Sequence, residues 1–430
     1  MSLTGDLANL IRSKPIADDD LAATASFVLD ALACGLAGRH SAQGEILLDW
    51  YRSEPSGAER RAFLFGSLVH VLEMDDLHRE SVTHPGCVVV PAAWSLAARS
   101  GIAGRAFLTA VLQGYEAVCR VGNAVGPAHY KVWHNTATCG PFGAAFASAA
   151  LEGLSHEQTV WALGNAGTQS CGLWQFLEEG AMSKHLHAGR AAEAGLLAAE
   201  LAARGFTGPS RILEGRKGFF AAACPDASPK RVLATPEGPW QLRLTSIKPW
   251  PSCRHTHPTV AAALELHGRL AVADIAKIHI ETYQAALDLC DTPTPASQYE
   301  AKFSLQHCAA VALADGAVTL GSFDAIARRR LAGLVAKTSV AACPELSAVY
   351  PDQWGARLIL TTHQGETLAA HCPVCKGDPE APLVAADMRA KAAMLLEFAG
   401  LPDAAAQRLI EAVLSLPTGA RLPDIDALYV

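Results

Sequence analysis

The chain has 430 residues, half of them apolar and 18% charged, with a formal net charge of −7. This composition belongs to a globular protein, and with no block of Lys and Arg it argues against a nucleic-acid scaffold. The first residues lack the order of a signal peptide, no apolar run is expected to span a membrane, and the 12 cysteines read as reduced buried thiols, so a cytoplasmic protein is expected.

In chain order, residues 1–242 read as helix. "DDDLAATASFVLDALACGLAG" opens on acidic residues that suit a helix start and stops on glycine. "LSHEQTVWALGNAG" carries Ser155 and, three residues on, Gln158, which is a capping box. "AGRAAEAGLLAAELAARGF" is so rich in Ala and Gly that its helix must pack very close to its neighbours. The pattern then changes. "QLRLTSIK", "IAKIHIETY" and the two halves of "ARLILTTHQGETLAAHC" alternate as strands do, the last pair around a glycine turn. "YEAKFSLQHCAAVALADG" and "FDAIARRRLAGLVAKT" between them read as helices, and periodic helix returns from 385 to the end. The expected fold is mainly α with an α+β second domain. A large helical domain is built from 1–242 and 385–430, with a smaller α/β lid at 243–384. A cleft between two such domains is a usual place for a small-molecule site.

Four stretches gather titratable groups. "HVLEMDDLHRESVTHPG" holds His70, Asp75, Asp76, His78 and His84, and Pro85 keeps His84 out of helical geometry. A solvated loop is the bland reading of this stretch, and metal binding by Asp and His is a rival one. "HNTATCGPFGAA" sets His134, Thr136 and Thr138 at a helix start, where free N–H groups attract carboxylates. "MSKHLHAGR" places Lys184, His185 and His187 ahead of the small-residue helix, and "IKPWPSCRHTHP" crowds Lys248, Cys253, Arg254, His255 and His257 between prolines. His307, alone on an apolar helix, is a weaker candidate. "CPVC" at Cys372 and Cys375 is half of a metal site or a redox pair at most, since no second CxxC exists. "GPFGAAFA" is no dinucleotide fingerprint.

Taken together, "MDDLHRESVTHPG", "HNTATCGPFGAA", "SKHLHAGRAAEAG", "TGPSRILEGRKGFFAA", "IKPWPSCRHTHP", "AKFSLQHCAAVAL" and "KGDPEAPL" resemble the MmgE/PrpD family, in order and in approximate spacing. Its best-known member is 2-methylcitrate dehydratase, and it includes cis-aconitate decarboxylase and iminodisuccinate epimerase. The resemblance implies a homodimer that needs no metal or other cofactor and acts on a citrate-like di- or tricarboxylate. Dehydration of the 2-methylcitrate type is the leading expectation, ahead of epimerisation, decarboxylation or a non-catalytic acid-binding role. Carried over residue by residue, the family pattern gives Asp76, His84, His134, Lys184 and Lys248 catalytic parts, with Asp76 the better match of the acidic pair. Asp75, His78, Thr138, His187, Cys253, Arg254, His257 and His307 are expected around the substrate. The lysines would hold carboxylates, His84 or His134 would move the proton, and Asp76 would orient a histidine. Cys253 stands about where the decarboxylase branch has a histidine, and His307 where many relatives have tyrosine.

Overall fold

The computed structural model describes residues 2–54 and 57–425. The chain divides into two compact units, Met1–Ile247 with Val384–Val430 and Lys248–Leu383. The protein is mainly α.

The first unit is helical, and its site is carried by α1 (Asp18–Gly38), α2 (Ala58–His70), α3 (Gly86–Ser100), α4 (Gly104–Gly122), α5 (Asn135–Leu151) and α6 (Ser183–Ala203). Helix α6 packs on α2, α3 and α5. Its small residues set the spacing: a Cβ on Gly195 would collide with Ala144 and the Ala145 backbone. The close approach expected from its composition is therefore real. The capping box is formed too, with Ser155 Oγ accepting from the Gln158 N–H at 3.2 Å and Gln158 Oε1 from the Ser155 N–H at 3.0 Å. One expectation needs correcting. At 21 residues α1 is long and apolar enough to cross a membrane, although no such run was expected. Its most apolar window is 83% buried inside the protein, which is what a core helix shows.

A two-residue pairing joins β1 (Leu77–His78) to β2 (Thr245–Ser246). Only that pair of residues in "QLRLTSIK" forms strand, because Gln241–Leu244 closes into a 3₁₀ turn. The Gln241 N–H donates to the Glu116 carboxylate of α4 at 2.7 Å, so a side chain satisfies it instead of a ladder.

The second unit holds a four-stranded sheet in the order β4-β3-β5-β6. Strand β3 (Ile275–Thr282) is parallel to β4 (Thr338–Ala342) and antiparallel to β5 (Ala356–Thr362). Strand β5 pairs with β6 (Thr367–Cys372) through a turn in which Gly365 has φ +88°, the hairpin its sequence predicts. Helices α7 (His257–Leu266) and α8 (Leu305–Asp315) pack on each other. The helix expected across 299–316 breaks before α8, where Ser304 caps a new start and its Oγ accepts from the His307 N–H at 3.0 Å.

The chain then rejoins the helical unit as α9 (Ala385–Phe398) and α10 (Asp403–Leu414), both packed on α1. Lys391 of α9 is buried, pairs with Asp30 of α1, and donates to the Met74 carbonyl at 2.7 Å. The end of the chain thereby holds the loop that carries the acidic pair.

Candidate active site

Residues 71–85, between α2 and α3, form a buried loop under backbone strain. Glu73 has φ +59° and Val82 φ +50°, conformations that cost L residues, and a β-branched one most of all. Strain of this kind persists only where the surroundings over-determine it, and it clusters at functional sites. The loop is held by Lys391 at Met74, by the His78 N–H donating to the Thr83 carbonyl (2.8 Å), and by the Asn135 amide donating to the Ser81 carbonyl (2.8 Å).

The loop delivers its carboxylates to different places. Asp75 Oδ2 accepts from His70 Nδ1 at 2.7 Å and lies 3.3 Å from His84 Nδ1. Asp76 turns the other way. Its Oδ2 accepts from the Tyr115 hydroxyl at 2.7 Å and its Oδ1 from the Gly86 N–H at 2.9 Å, at the first turn of α3. A side chain on Gly86 would press into that carboxylate and the Tyr115 hydroxyl, both 2.9 Å from where its Cβ would stand. Burial raises the Asp76 carboxyl to about 8, against the opposing pull of the Tyr115 hydrogen bond. The histidines are thus met by Asp75, while Asp76 fixes the helix that begins just after His84. The family carry-over expected Asp76 beside a histidine, and the structure puts Asp75 beside two.

Around Asp75 lie five imidazoles. His70, fully buried at the end of α2, meets His84 edge-on (ring centroids 4.6 Å), stacks on His134 (5.8 Å) and approaches His185 (6.4 Å). His134 precedes α5, its N–H donating to the Gly172 carbonyl at 3.0 Å, and its ring is walled by Trp174 at 4.8 Å and Phe176 at 6.5 Å. His187 closes the group, its Nδ1 3.4 Å from that of His134. Burial, then the neighbouring cations and imidazoles, hold His134 well below the ordinary imidazole range, and the same causes bring His187 to about 4. These rings are neutral at rest. The His84 N–H donates to Thr136 Oγ1 at 3.0 Å, which ties the loop to the start of α5.

Lys184 stands in the first turn of α6, buried, in an ion pair with Glu73. A charge pair out of water survives only where each partner answers the other, and here one partner is held by a left-handed backbone. Glu73 was not named by the sequence reading, and His70 and His185, named within their stretches, were given no part in the site. Glu73 sits two residues ahead of the acidic pair that drew attention, and its positive φ and its partner mark it.

Two further candidates lie in the helical unit. His78 lies in β1 with Nδ1 2.8 Å from Ser81 Oγ, and burial beside Arg79 brings it to about 3. Thr138 Oγ1 is 2.8 Å from His129 Nε2, so its hydroxyl serves that neighbour. The other five belong to the second unit. Lys248 is its first residue and is buried. The Cys253 N–H donates to the Lys302 carbonyl at 2.9 Å, and Arg254 pairs with the buried Asp378. His257 Nε2 is 3.2 Å from the Ser252 carbonyl, and His307 Nε2 2.9 Å from the Ser322 carbonyl.

His70, Asp75 and His84 also offer three ligand atoms within 4.8 Å of one another. Two imidazoles and a carboxylate suit a divalent transition ion. They equally suit a carboxylate shared by two rings, the arrangement that fixes a general base.

Comparison with known proteins adds the family. The MmgE/PrpD N-terminal domain model matches residues 5–232 and the MmgE/PrpD C-terminal domain model residues 250–416. Among curated proteins, the chain is 28% identical to a cis-aconitate decarboxylase-like protein, oryM, of Aspergillus oryzae, over 99% of this chain and 97% of that one. It is 27% identical to the cis-aconitate decarboxylase of Aspergillus terreus over 74% of this chain and 72% of the relative, and 27% to that of Mus musculus over 77% and 70%. The chain belongs to the MmgE/PrpD family.

Proposed function

We propose that the protein is a cofactor-independent lyase that acts on a citrate-like polycarboxylate, with decarboxylation of a cis-aconitate-like acid as the leading reaction. The observation that carries this reading is the buried Lys184–Glu73 pair set among neutral imidazoles. A carboxylate entering the cluster meets Lys184 as its cation, beside an anion that is already there. The added negative charge draws a proton onto His134 or His187, since opposite charge favours the imidazolium. Loss of carbon dioxide then leaves an electron pair on carbon. Lys184 stabilises the developing anion, and an imidazolium returns a proton to the carbon. His84, aligned by Asp75, is the second proton carrier. The walls of Trp174 and Phe176 keep water from the rings, which strengthens every charge interaction inside.

The likeness to cis-aconitate decarboxylases favours decarboxylation. Dehydration of the 2-methylcitrate type is the second reading, favoured by Cys253 standing where the decarboxylase branch has a histidine. Each passes through a carbanion that needs the same stabilisation: decarboxylation reaches it by losing carbon dioxide, and dehydration by losing a proton before hydroxide leaves. Chelator-treated protein incubated with cis-aconitate, citrate and 2-methylcitrate in deuterated water, followed by NMR, separates them. Decarboxylation consumes cis-aconitate and gives an unsaturated product one carbon shorter that carries deuterium, whereas dehydration consumes citrate or 2-methylcitrate and gives an alkene with every carbon kept. Binding of these acids with no turnover and no exchange would overturn the enzyme reading, and activity restored only by added metal would turn His70, Asp75 and His84 into ligands.

A further inference from the structure

The CPVC stretch lies in the second unit and plays no part in the chemistry above. We propose that Cys372 and Cys375 form a reversible dithiol–disulfide site, oxidised by exchange with a small-molecule disulfide. Cys372 ends β6, Pro373 and Val374 turn the chain, and the two sulfurs lie 3.8 Å apart in mutual contact. A disulfide needs about 2 Å between sulfurs, so side-chain rotation has less than about 2 Å to close. Among the described residues no third His, Cys, Asp or Glu joins the pair in a metal-ligating group, which leaves redox chemistry as the use of two adjacent thiols.

The surroundings give the two sulfurs different parts. Cys375 is fully buried and Cys372 is 8% exposed, so a reagent from solvent meets Cys372 first. The hydrogen bond between the two sulfurs, and the Arg254 guanidinium in the same sense, hold the Cys372 thiol below its ordinary value although burial opposes this. Burial holds Cys375 well above it. Cys372 is the nucleophile and Cys375 the resolving thiol. In the first step the Cys372 thiolate attacks one sulfur of the small disulfide, forming a mixed disulfide and releasing one thiol, which keeps the proton. In the second, Cys375 loses its proton and attacks the Cys372 sulfur, releasing the other half as a second thiol. Two electrons pass from the cysteine pair to the reagent. The bond would clamp the end of β6 to the turn in which the Cys375 N–H donates to Asp378 Oδ2 at 3.1 Å, while the other oxygen of Asp378 grips Arg254.

The test uses the folded full-length protein in glutathione buffers of graded oxidised fraction, quenched by alkylation in denaturant and read by peptide mass. The peptide bearing Cys372 and Cys375 is expected to lose both alkylatable thiols and the mass of two hydrogens, reversibly on reduction. Cys375→Ser is expected to stop at a glutathione adduct on Cys372, and Cys372→Ser to leave Cys375 alkylatable. The proposal fails if this peptide stays fully alkylated across the series while unfolded protein in the same buffers is oxidised. It fails equally if oxidation is confined to the exposed Cys171.

Discussion

Both units bury polar side chains, yet they arrange them in opposite ways. In the second unit several buried groups are answered by a fixed neighbour. Arg254 meets Asp378, His255 Nδ1 lies 2.7 Å from the Tyr283 hydroxyl, and His307 reaches the Ser322 carbonyl. In the helical unit the rings of His70, His84, His134, His185 and His187 converge on one another, with Asp75 between two of them and Lys184–Glu73 beside them. Pairwise satisfaction stabilises a fold and leaves nothing for a substrate to change. A convergent group of rings, in which burial keeps His134 and His187 neutral, is poised to take up a proton once negative charge arrives. What marks the site is this sharing of partners together with the strained backbone at Glu73 and Val82, since burial of polar groups is common to both units.

The largest effect should come from Lys184. Lys184→Ala removes the cation for substrate and the ion-pair partner of Glu73, and turnover of the true substrate should fall about 1000-fold, as for loss of a preorganised charge-stabilising donor. If Lys184→Ala keeps full turnover and only melts earlier, the pair is structural like those of the second unit, and the contrast is broken. The complementary substitution is Arg254→Ala. It strands Asp378 in the interior and should cost about 3 kcal/mol of stability, the scale for breaking a buried ion pair. An unchanged urea midpoint would show that Asp378 finds another answer to its charge.

His70 sharpens the comparison further. It touches His84 only through their shared carboxylate and by ring contact, so it positions the carboxylate. His70→Ala should lower kcat about 100-fold with little change in KM, the scale of a misplaced catalytic group. His70→Asn, whose amide can still donate to Asp75, should recover most of the loss and shift the pH profile back. Equal losses in both variants would assign His70 to packing alone.

How much of this was legible in the sequence follows from the same contrast. Lys184, His84 and His134 stood out because each sits at a helix start next to a turn residue or a run of small residues, features written in local composition. The hairpin of β5 and β6 and the capping box at Ser155 were legible for the same reason. Glu73 and His70 were not. Glu73 acts through a left-handed backbone that no residue type announces, and His70 closes the apolar run "AFLFGSLVH", where a core histidine looks identical until Asp75 is seen against it. The exchange of roles between Asp75 and Asp76 was hidden as well, because adjacent loop residues point to different sides and only the fold shows which side holds the rings.

The smallest effect, and the most informative about sign, is the pH dependence of stability. His78 and His255 are brought to about 3 and His187 to about 4 in the folded protein, against about 6.5 when unfolded. As pH falls below about 6.5 the unfolded chain takes up protons that the folded one refuses, so stability falls with acid in both units. Asp76 has the opposite sign. Its folded carboxyl keeps a proton up to about 8 while the unfolded one gives it up near about 4, so its contribution is lost as pH rises across that window. Between about 4 and 6.5 the three imidazoles outweigh the one carboxyl, and above about 6.5 Asp76 acts against no histidine. Stability should therefore peak near pH 6.5, with an acid limb of up to about 3 kcal/mol per pH unit and a shallower alkaline one of up to about 1.4, followed through the melting temperature. Asp76→Asn should flatten the alkaline limb and leave the acid limb in place. An alkaline limb that survives Asp76→Asn would mean that Asp76 is already ionised at neutral pH, held as an anion by Tyr115 and Gly86, and that α3 is anchored by a charge.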